Sequence, residues 1–130
     1  MAFRILIVDD SATTRAIIKR TIQMARVPTE KVLEAPNGME ALRLLASEPV
    51  DLILADLHMP EMDGVEMTRR ILADEATKLI PVIIVSAEPN AERLEQLKKD
   101  GARGYLRKPF TPESVRNLIN QTLGVLDVAA

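Results

Sequence analysis

Short apolar runs that each end abruptly in a polar side chain restrict what this chain can fold into. Ile5-Leu6-Ile7-Val8 ends in Asp9-Asp10, Leu52-Ile53-Leu54-Ala55 in Asp56, and Val82-Ile83-Ile84-Val85 in Ser86. A shorter segment around Tyr105-Leu106 ends in Lys108. Such runs are too brief for independent helices, and they read as strands buried on both faces. If the strands are parallel neighbours, three acids, a hydroxyl and an ammonium meet at one edge. Each polar residue taken singly is ordinary strand-end punctuation; four strand ends converging on complementary chemistry are harder to assign to punctuation.

Amphipathic segments fill the intervals. Ser11 caps a helix running to about Ala25, with Thr14, Ile18, Ile22 and Ala25 along one side, and Pro28 closes that unit. Val32-Leu33-Glu34-Ala35 is a brief, more polar second strand and a candidate edge. Asn37 and Glu40 have capping-box spacing at the head of a helix to about Ser47 that packs with Leu42 and Leu45. The loop after Asp56 carries Pro60 and Gly64, and a third helix follows to about Asp74 with Val65, Thr68 and Leu72 inward. Pro81 is tolerated at the first position of the next strand. A fourth helix begins at Asn90, with a narrow stripe of Ala91, Leu94 and Leu97, and Asp100-Gly101 stops it. Thr111 and Pro112 read as N-cap and first turn of a last helix ending near Gly124, which buries Val115, Leu118, Ile119, Thr122 and Leu123.

Five strand–helix units predict an α/β fold with a doubly wound parallel sheet and right-handed crossovers. Ligands in such folds sit outside the carboxyl ends of the strands, where Asp9, Asp10, Asp56, Ser86 and Lys108 fall. At 130 residues the chain suits one domain. A net charge of −2 and 2% aromatic residues supply neither the basic footprint nor the stacking platforms of a nucleic-acid binder. Without cysteine there is no disulfide framework and no thiolate metal site. The opening residues run straight into a four-residue apolar strand, unlike a signal peptide, and no apolar run approaches membrane-spanning length. The expected location is the cytoplasm, with no membrane insertion.

Three carboxylates in one pocket repel one another, and a hard divalent cation is the natural compensation. Mg²⁺ takes one or two carboxylates, keeps several waters and completes its shell with phosphate oxygens. A carboxylate is also a competent nucleophile for phosphoryl transfer, which makes Asp56 a candidate for metal ligand and phosphoacceptor together. Lys108 and Ser86 could each hold a phosphoryl oxygen, and such a transfer is catalysed mostly by positioning and charge neutralisation. Read alone, Lys108 is a solvated lysine and Ser86 a helix-capping serine; beside Asp56 they complete a site.

The whole pattern resembles the receiver domain of two-component response regulators, close to the stand-alone chemotaxis type. The residues that carry the resemblance are Val8-Asp9-Asp10-Ser11 with Arg15, the stretch from Asp56 through His58-Met59-Pro60 to Asp63-Gly64, Val85-Ser86-Ala87, and Gly104-Tyr105-Leu106-Arg107-Lys108-Pro109-Phe110. They span nearly the whole chain. The resemblance implies a flavodoxin-like receiver fold with strand order 2-1-3-4-5, over residues 1–124, followed by a short tail, 125–130. It implies that Asp56 accepts a phosphoryl group from a histidine kinase or histidine phosphotransfer protein. Asp10, Asp56 and the backbone carbonyl of His58 would hold Mg²⁺ or Mn²⁺ directly, and Asp9 through water. The Ser86 hydroxyl would turn to the phosphoryl group, and Tyr105 would rotate inward behind it. That would alter the surface of the fourth helix, fifth strand and fifth helix for a downstream protein target. Lys108-Pro109 would be a cis peptide.

The protein so described is a switch with self-catalysed phosphorylation and dephosphorylation rather than an enzyme, expected as a monomer or weak dimer. His58 and Glu88 depart from the commonest pattern, at positions that flank the path of attacking water and tune dephosphorylation in the family; His58 also reads as a partly exposed loop residue. Two other readings of the same residues compete. A receiver piece of a longer regulator has the same site. An aspartyl-nucleophile phosphatase of the haloacid dehalogenase type resembles Asp-x-Asp after a strand, whereas His58 occupies the second position here.

Overall fold

A computed structural model describes residues 2–87 and 91–124, apart from the side chains of residues 91 and 94. The elements alternate without interruption: β1 (Phe3–Val8), α1 (Ala12–Met24), β2 (Thr29–Ala35), α2 (Gly38–Ser47), β3 (Leu52–Asp56), α3 (Gly64–Ala73), β4 (Val82–Ser86), α4 (Ala91–Lys99), β5 (Gly104–Arg107) and α5 (Pro112–Leu123). All strands are parallel, in the order β2-β1-β3-β4-β5. No described helix is long and apolar enough to cross a membrane.

Strand periodicity divides each apolar run between two cores. Leu6, Val8, Ile53, Ala55, Val82 and Ile84 face one side, where Ala41 of α2, Met67 and Ile71 of α3 and Leu97 of α4 cover them. Ile5, Ile7, Leu52, Leu54, Ile83 and Val85 face the other, under Ile18 and Ile22 of α1 and Val115 and Ile119 of α5. Continuous apolar runs are therefore what a doubly covered sheet requires. The edge strand β2, by contrast, is half-buried or exposed along its length until Ala35, which is buried.

Local signals set the helix starts. Ser11, Asn37, Asp63 and Thr111 each accept a hydrogen bond from the backbone N–H three residues on, satisfying donors the first turn leaves unpaired. Thr111 and Ser114 close a reciprocal capping box, and Gly124 ends α5 with φ +74°.

Details of β2 and α3 differ from the sequence reading. β2 begins at Thr29 rather than Val32, because its charged first residues pair with β1 and merely point outward at an edge. The buried stripe of α3 is Gly64, Met67, Thr68 and Ile71, while Val65 and Leu72 are only half-buried. Its phase is imposed from the start: a Cβ on Gly64 would stand 2.6 Å from the Asp56 carbonyl oxygen, so that side of the helix faces the sheet. For the fourth helix, Leu97 is buried as expected. Its expected start at Asn90, and the packing of Ala91 and Leu94, lie outside the described residues.

Candidate functional site

Parallel strands present their carboxyl ends along one rim, and the register decides which residues meet there. Val8 pairs with Ala55, and Asp56 with Val85, so the residues after β1 stand beside the end of β3. Ser86 pairs with Arg107, one residue before Lys108. Asp9, Asp10 and Asp56 consequently converge: each offers a carboxylate oxygen, and these atoms all lie within 4.8 Å of one another. The Lys108 Nζ approaches Asp56 Oδ1 to 3.9 Å, too long for a tight hydrogen bond but close enough to offset charge. The Lys108-Pro109 peptide is cis.

The three acids differ in exposure. Asp9 is almost wholly buried at 2%, Asp56 is half-buried, and Asp10 is exposed. Burial pushes the Asp9 carboxyl above the ordinary carboxylate range; the Ser11 N–H at 2.8 Å from Oδ1 and the Lys108 ammonium pull it part-way back. Burial likewise raises Asp56, with Lys108 opposing and the Asp9 charge adding to the rise. Asp9 Oδ2 is buried and has no hydrogen-bond partner. A desolvated carboxylate oxygen without a donor is costly, and a cation is what would compensate it. Three oxygen donors suit a hard ion, so the residues present fit Mg²⁺ or Mn²⁺.

Apolar anchors hold the loop between Asp56 and α3. Leu57, Met59 and Met62 are buried, whereas His58 is exposed. The Gly64 N–H donates to the Leu57 carbonyl at 2.9 Å. Met62 packs so closely on Gly38 that a Cβ there would come within 2.7 Å of its sulfur. Glu61 takes φ +67°, a left-handed conformation unusual for a residue with a side chain.

Ser86 is buried, and its carbonyl accepts two hydrogen bonds, from the Lys108 N–H at 2.9 Å and the Tyr105 hydroxyl at 2.7 Å. The tyrosine expected to move behind Ser86 is thus already joined to it. That contact was not legible in the sequence, since nothing in the spacing of Ser86 and Tyr105 selects one rotamer of Tyr105. Also unforeseen was the link from Arg15 to Glu34 and to the carbonyl of Asp9; its only sequence signal is the position of Arg15 one turn beyond Ser11. Glu88 lies outside the described residues.

The model of the response regulator receiver domain matches residues 5–120. The chain belongs to the response regulator receiver family. It is 37% identical over 125 residues to chemotaxis protein CheY1 of Helicobacter pylori, covering 95% of this chain and 99% of that protein. It is 37% identical over 122 residues to the CheY homolog of Campylobacter jejuni, covering 93% and 92%. Among solved structures, chemotaxis protein CheY4 of Vibrio cholerae superposes with a TM-score of 0.83 at 30% identity, covering 94% of this chain and 99% of that one. The receiver domain of sensor histidine kinase PA1611 from Pseudomonas aeruginosa, described with a magnesium ion coordinated in its active site cleft, gives 0.82 at 26% identity, with 95% and 99% covered. Receivers of this kind act in two-component signalling, bind Mg²⁺ at an acidic site, and interact with kinases and downstream targets. Among the described residues, the acidic cluster of this chain is Asp9, Asp10 and Asp56.

Proposed function

We propose that residues 1–124 form a phosphorylation-activated switch in which Asp56 accepts a phosphoryl group from the histidine of a kinase or phosphotransfer protein. The observation that supports this most is the meeting of three carboxylates with the Lys108 ammonium at one strand rim, one acid being buried with an oxygen that has no donor. An Asp56 carboxylate oxygen attacks phosphorus, the phosphorus–nitrogen bond breaks, and the imidazole leaves with that electron pair. Asp10, Asp56 and the His58 carbonyl would hold Mg²⁺ or Mn²⁺, with Asp9 acting through water. Bound there, the cation supplies neutralisation of the oxyanions as donor and acceptor approach.

The chain's own residues do the rest. Lys108 is aimed at Asp56 and shares the phosphoryl charge. Ser86 stands at the end of the neighbouring strand, where its hydroxyl can donate to a phosphoryl oxygen. Because the Ser86 carbonyl already accepts from Tyr105, a shift at Ser86 is carried directly to β5, and so to the surface of α4, β5 and α5 that meets a downstream protein. Phosphorylation then biases a pre-existing equilibrium between surfaces rather than building a new one. His58, and Glu88 outside the described residues, set the lifetime of the acyl phosphate by ordering or obstructing water.

Mg²⁺ with acetyl phosphate should add one hydroxylamine-labile phosphoryl group, placed on Asp56 by reductive labelling and mass spectrometry. Asp56→Asn should accept none. A base-stable phosphate on Ser86, or an unchanged yield in Asp56→Asn, would overturn the assignment.

A further inference from the structure

We propose that Arg15 is a positioning residue for the metal-binding loop, acting by orienting the Asp9–Asp10 peptide rather than by lending charge to the site. This rests on the reading that Asp9, Asp10 and Asp56 hold a divalent cation.

Every polar group of Asp9 except one is tied. Its N–H donates to the Ala35 carbonyl at 3.1 Å, and Oδ1 accepts from the Ser11 N–H at 2.8 Å. Its carbonyl accepts from Arg15 Nη1 at 2.6 Å. The exception is Oδ2, buried beside the other acids. The carbonyl of Asp9 and the N–H of Asp10 share one rigid plane. Whatever fixes that carbonyl therefore fixes the Asp10 Cα and the N–Cα axis from which its side chain departs.

Arg15 is itself held. Its Nε donates to Glu34 Oε1 at 3.1 Å, and its side chain is only 16% exposed. Glu34 lies on β2 opposite Ile7, next to Ala35, which pairs with Val8. The guanidinium is planar, with donors in a fixed fork, so anchoring Nε on the edge strand sets the direction from which Nη1 reaches Asp9. An ammonium on a flexible stem has no such constraint. The cation that faces the Asp56 carboxylate is Lys108, at 3.9 Å, whereas the Arg15 guanidinium is engaged with a backbone carbonyl and with Glu34.

The test is the affinity of the full chain for Mn²⁺, read from the electron paramagnetic resonance signal of unbound ion. Melting in EDTA is followed in parallel as a measure of folding alone. Groups that orient metal ligands are commonly worth about 10–100-fold in affinity, so Arg15→Ala should weaken Mn²⁺ binding about tenfold. Arg15→Lys, which keeps the charge and loses the fork, should weaken it nearly as much. Glu34→Ala should cost about threefold, and the double variant should bind no worse than Arg15→Ala, because both changes break one relay. Asp10→Asn separates the two levels of inference. If the parent takes up no Mn²⁺, or Asp10→Asn binds like the parent, the metal-site reading itself fails. If Asp10→Asn loses binding while Arg15→Ala stays within twofold of the parent, the positioning role is overturned. Full affinity in Arg15→Lys overturns it in favour of charge, and a lower melting point in EDTA with unchanged affinity overturns it in favour of a structural role. Should Arg15→Ala fail to fold, Glu34→Ala, altered only at a half-exposed edge residue, decides: affinity equal to the parent's overturns the relay.

Discussion

The two ends of the same sheet are built on opposite rules. At the amino ends of the strands, Arg4 meets Glu48 at 2.7 Å, the Pro49 carbonyl at 2.8 Å and Glu30 at 3.6 Å, and Lys31 adds to Glu48 at 3.6 Å. The Arg4 N–H and carbonyl are both taken by Asp51, whose carboxylate and N–H each lie 2.7 Å away. Charge there is matched by charge. At the carboxyl ends, three carboxylates crowd together, the ammonium of Lys108 stops at 3.9 Å, and a buried oxygen has no donor. Val8 and Asp9 are neighbours in sequence and almost equally buried, yet burial stabilises the first and raises the carboxyl of the second. The matched rim serves stability. The mismatched rim stores unfavourable electrostatics that a cation and a phosphoryl group can relieve.

The largest expected effect is at the joint between rim and core. Gly64→Ala would place a Cβ 2.6 Å from the Asp56 carbonyl oxygen and 3.2 Å from the Leu57 Cα, both backbone atoms that cannot swing aside. Overpacking of this kind costs about 1–3 kcal/mol. Because the clash is with Asp56 itself, acetyl-phosphate labelling should fall together with the melting temperature. A variant that melts like the parent would mean the loop yields easily, and the apolar anchoring of the rim would then be weaker than the packing indicates.

The next effect tests the matched end alone. Arg4→Ala leaves Glu48 and the Pro49 carbonyl without a largely buried guanidinium. Exposed ion pairs are worth little, but hydrogen bonds to charged groups are worth more, and about 1–2 kcal/mol of destabilisation is expected. Labelling of the folded protein and the response to Mg²⁺ should be those of the parent. A changed Mg²⁺ response would show that the two rims are coupled through the sheet.

The asymmetry between the rims was legible in the sequence because apolar runs end where chemistry begins. Ile5 to Val8, Leu52 to Ala55 and Val82 to Val85 are strands nearly to the residue, and the acids after them reach one rim because the strands are parallel. Less visible was whatever depends on contacts between elements. Thr29 to Lys31 look like a loop, since an edge strand points polar residues outward. The phase of α3 follows from the approach of Gly64 to the β3 backbone, which no periodicity of Val65, Thr68 and Leu72 reveals. The Tyr105–Ser86 and Arg15–Glu34 bonds join residues 19 apart in the sequence in each case, and only the fold brings them together.

The smallest expected effect has the opposite sign from the other two. Asp56→Asn keeps the shape of the mismatched rim and removes one of its charges. In EDTA at neutral pH and low salt the Asn form should therefore melt higher than the parent, by about 3–5 °C for roughly 1 kcal/mol in a domain of this size. The pH dependence follows from the raised Asp56 carboxyl. A carboxyl that holds its proton more tightly folded than unfolded favours the fold fully below the ordinary carboxylate range, and loses that contribution as pH rises through the higher folded value. The advantage of the Asn form should thus be complete at neutral pH and vanish as the solution is acidified through that window. Whatever else in the molecule responds to pH is common to both proteins, so the difference between them, not either curve, carries the information. Mg²⁺ acts in the other direction. It binds only the folded parent with full strength, adding RT ln(1 + [L]/Kd), about 1.4 kcal/mol at ten times Kd, whereas the Asn form has lost a ligand. The gap should close and then invert as Mg²⁺ rises. Paired melting curves decide the matter: a parent more stable than Asp56→Asn in EDTA, or one indifferent to Mg²⁺, would mean that the crowded acids carry no stored repulsion and that the two rims differ in geometry alone.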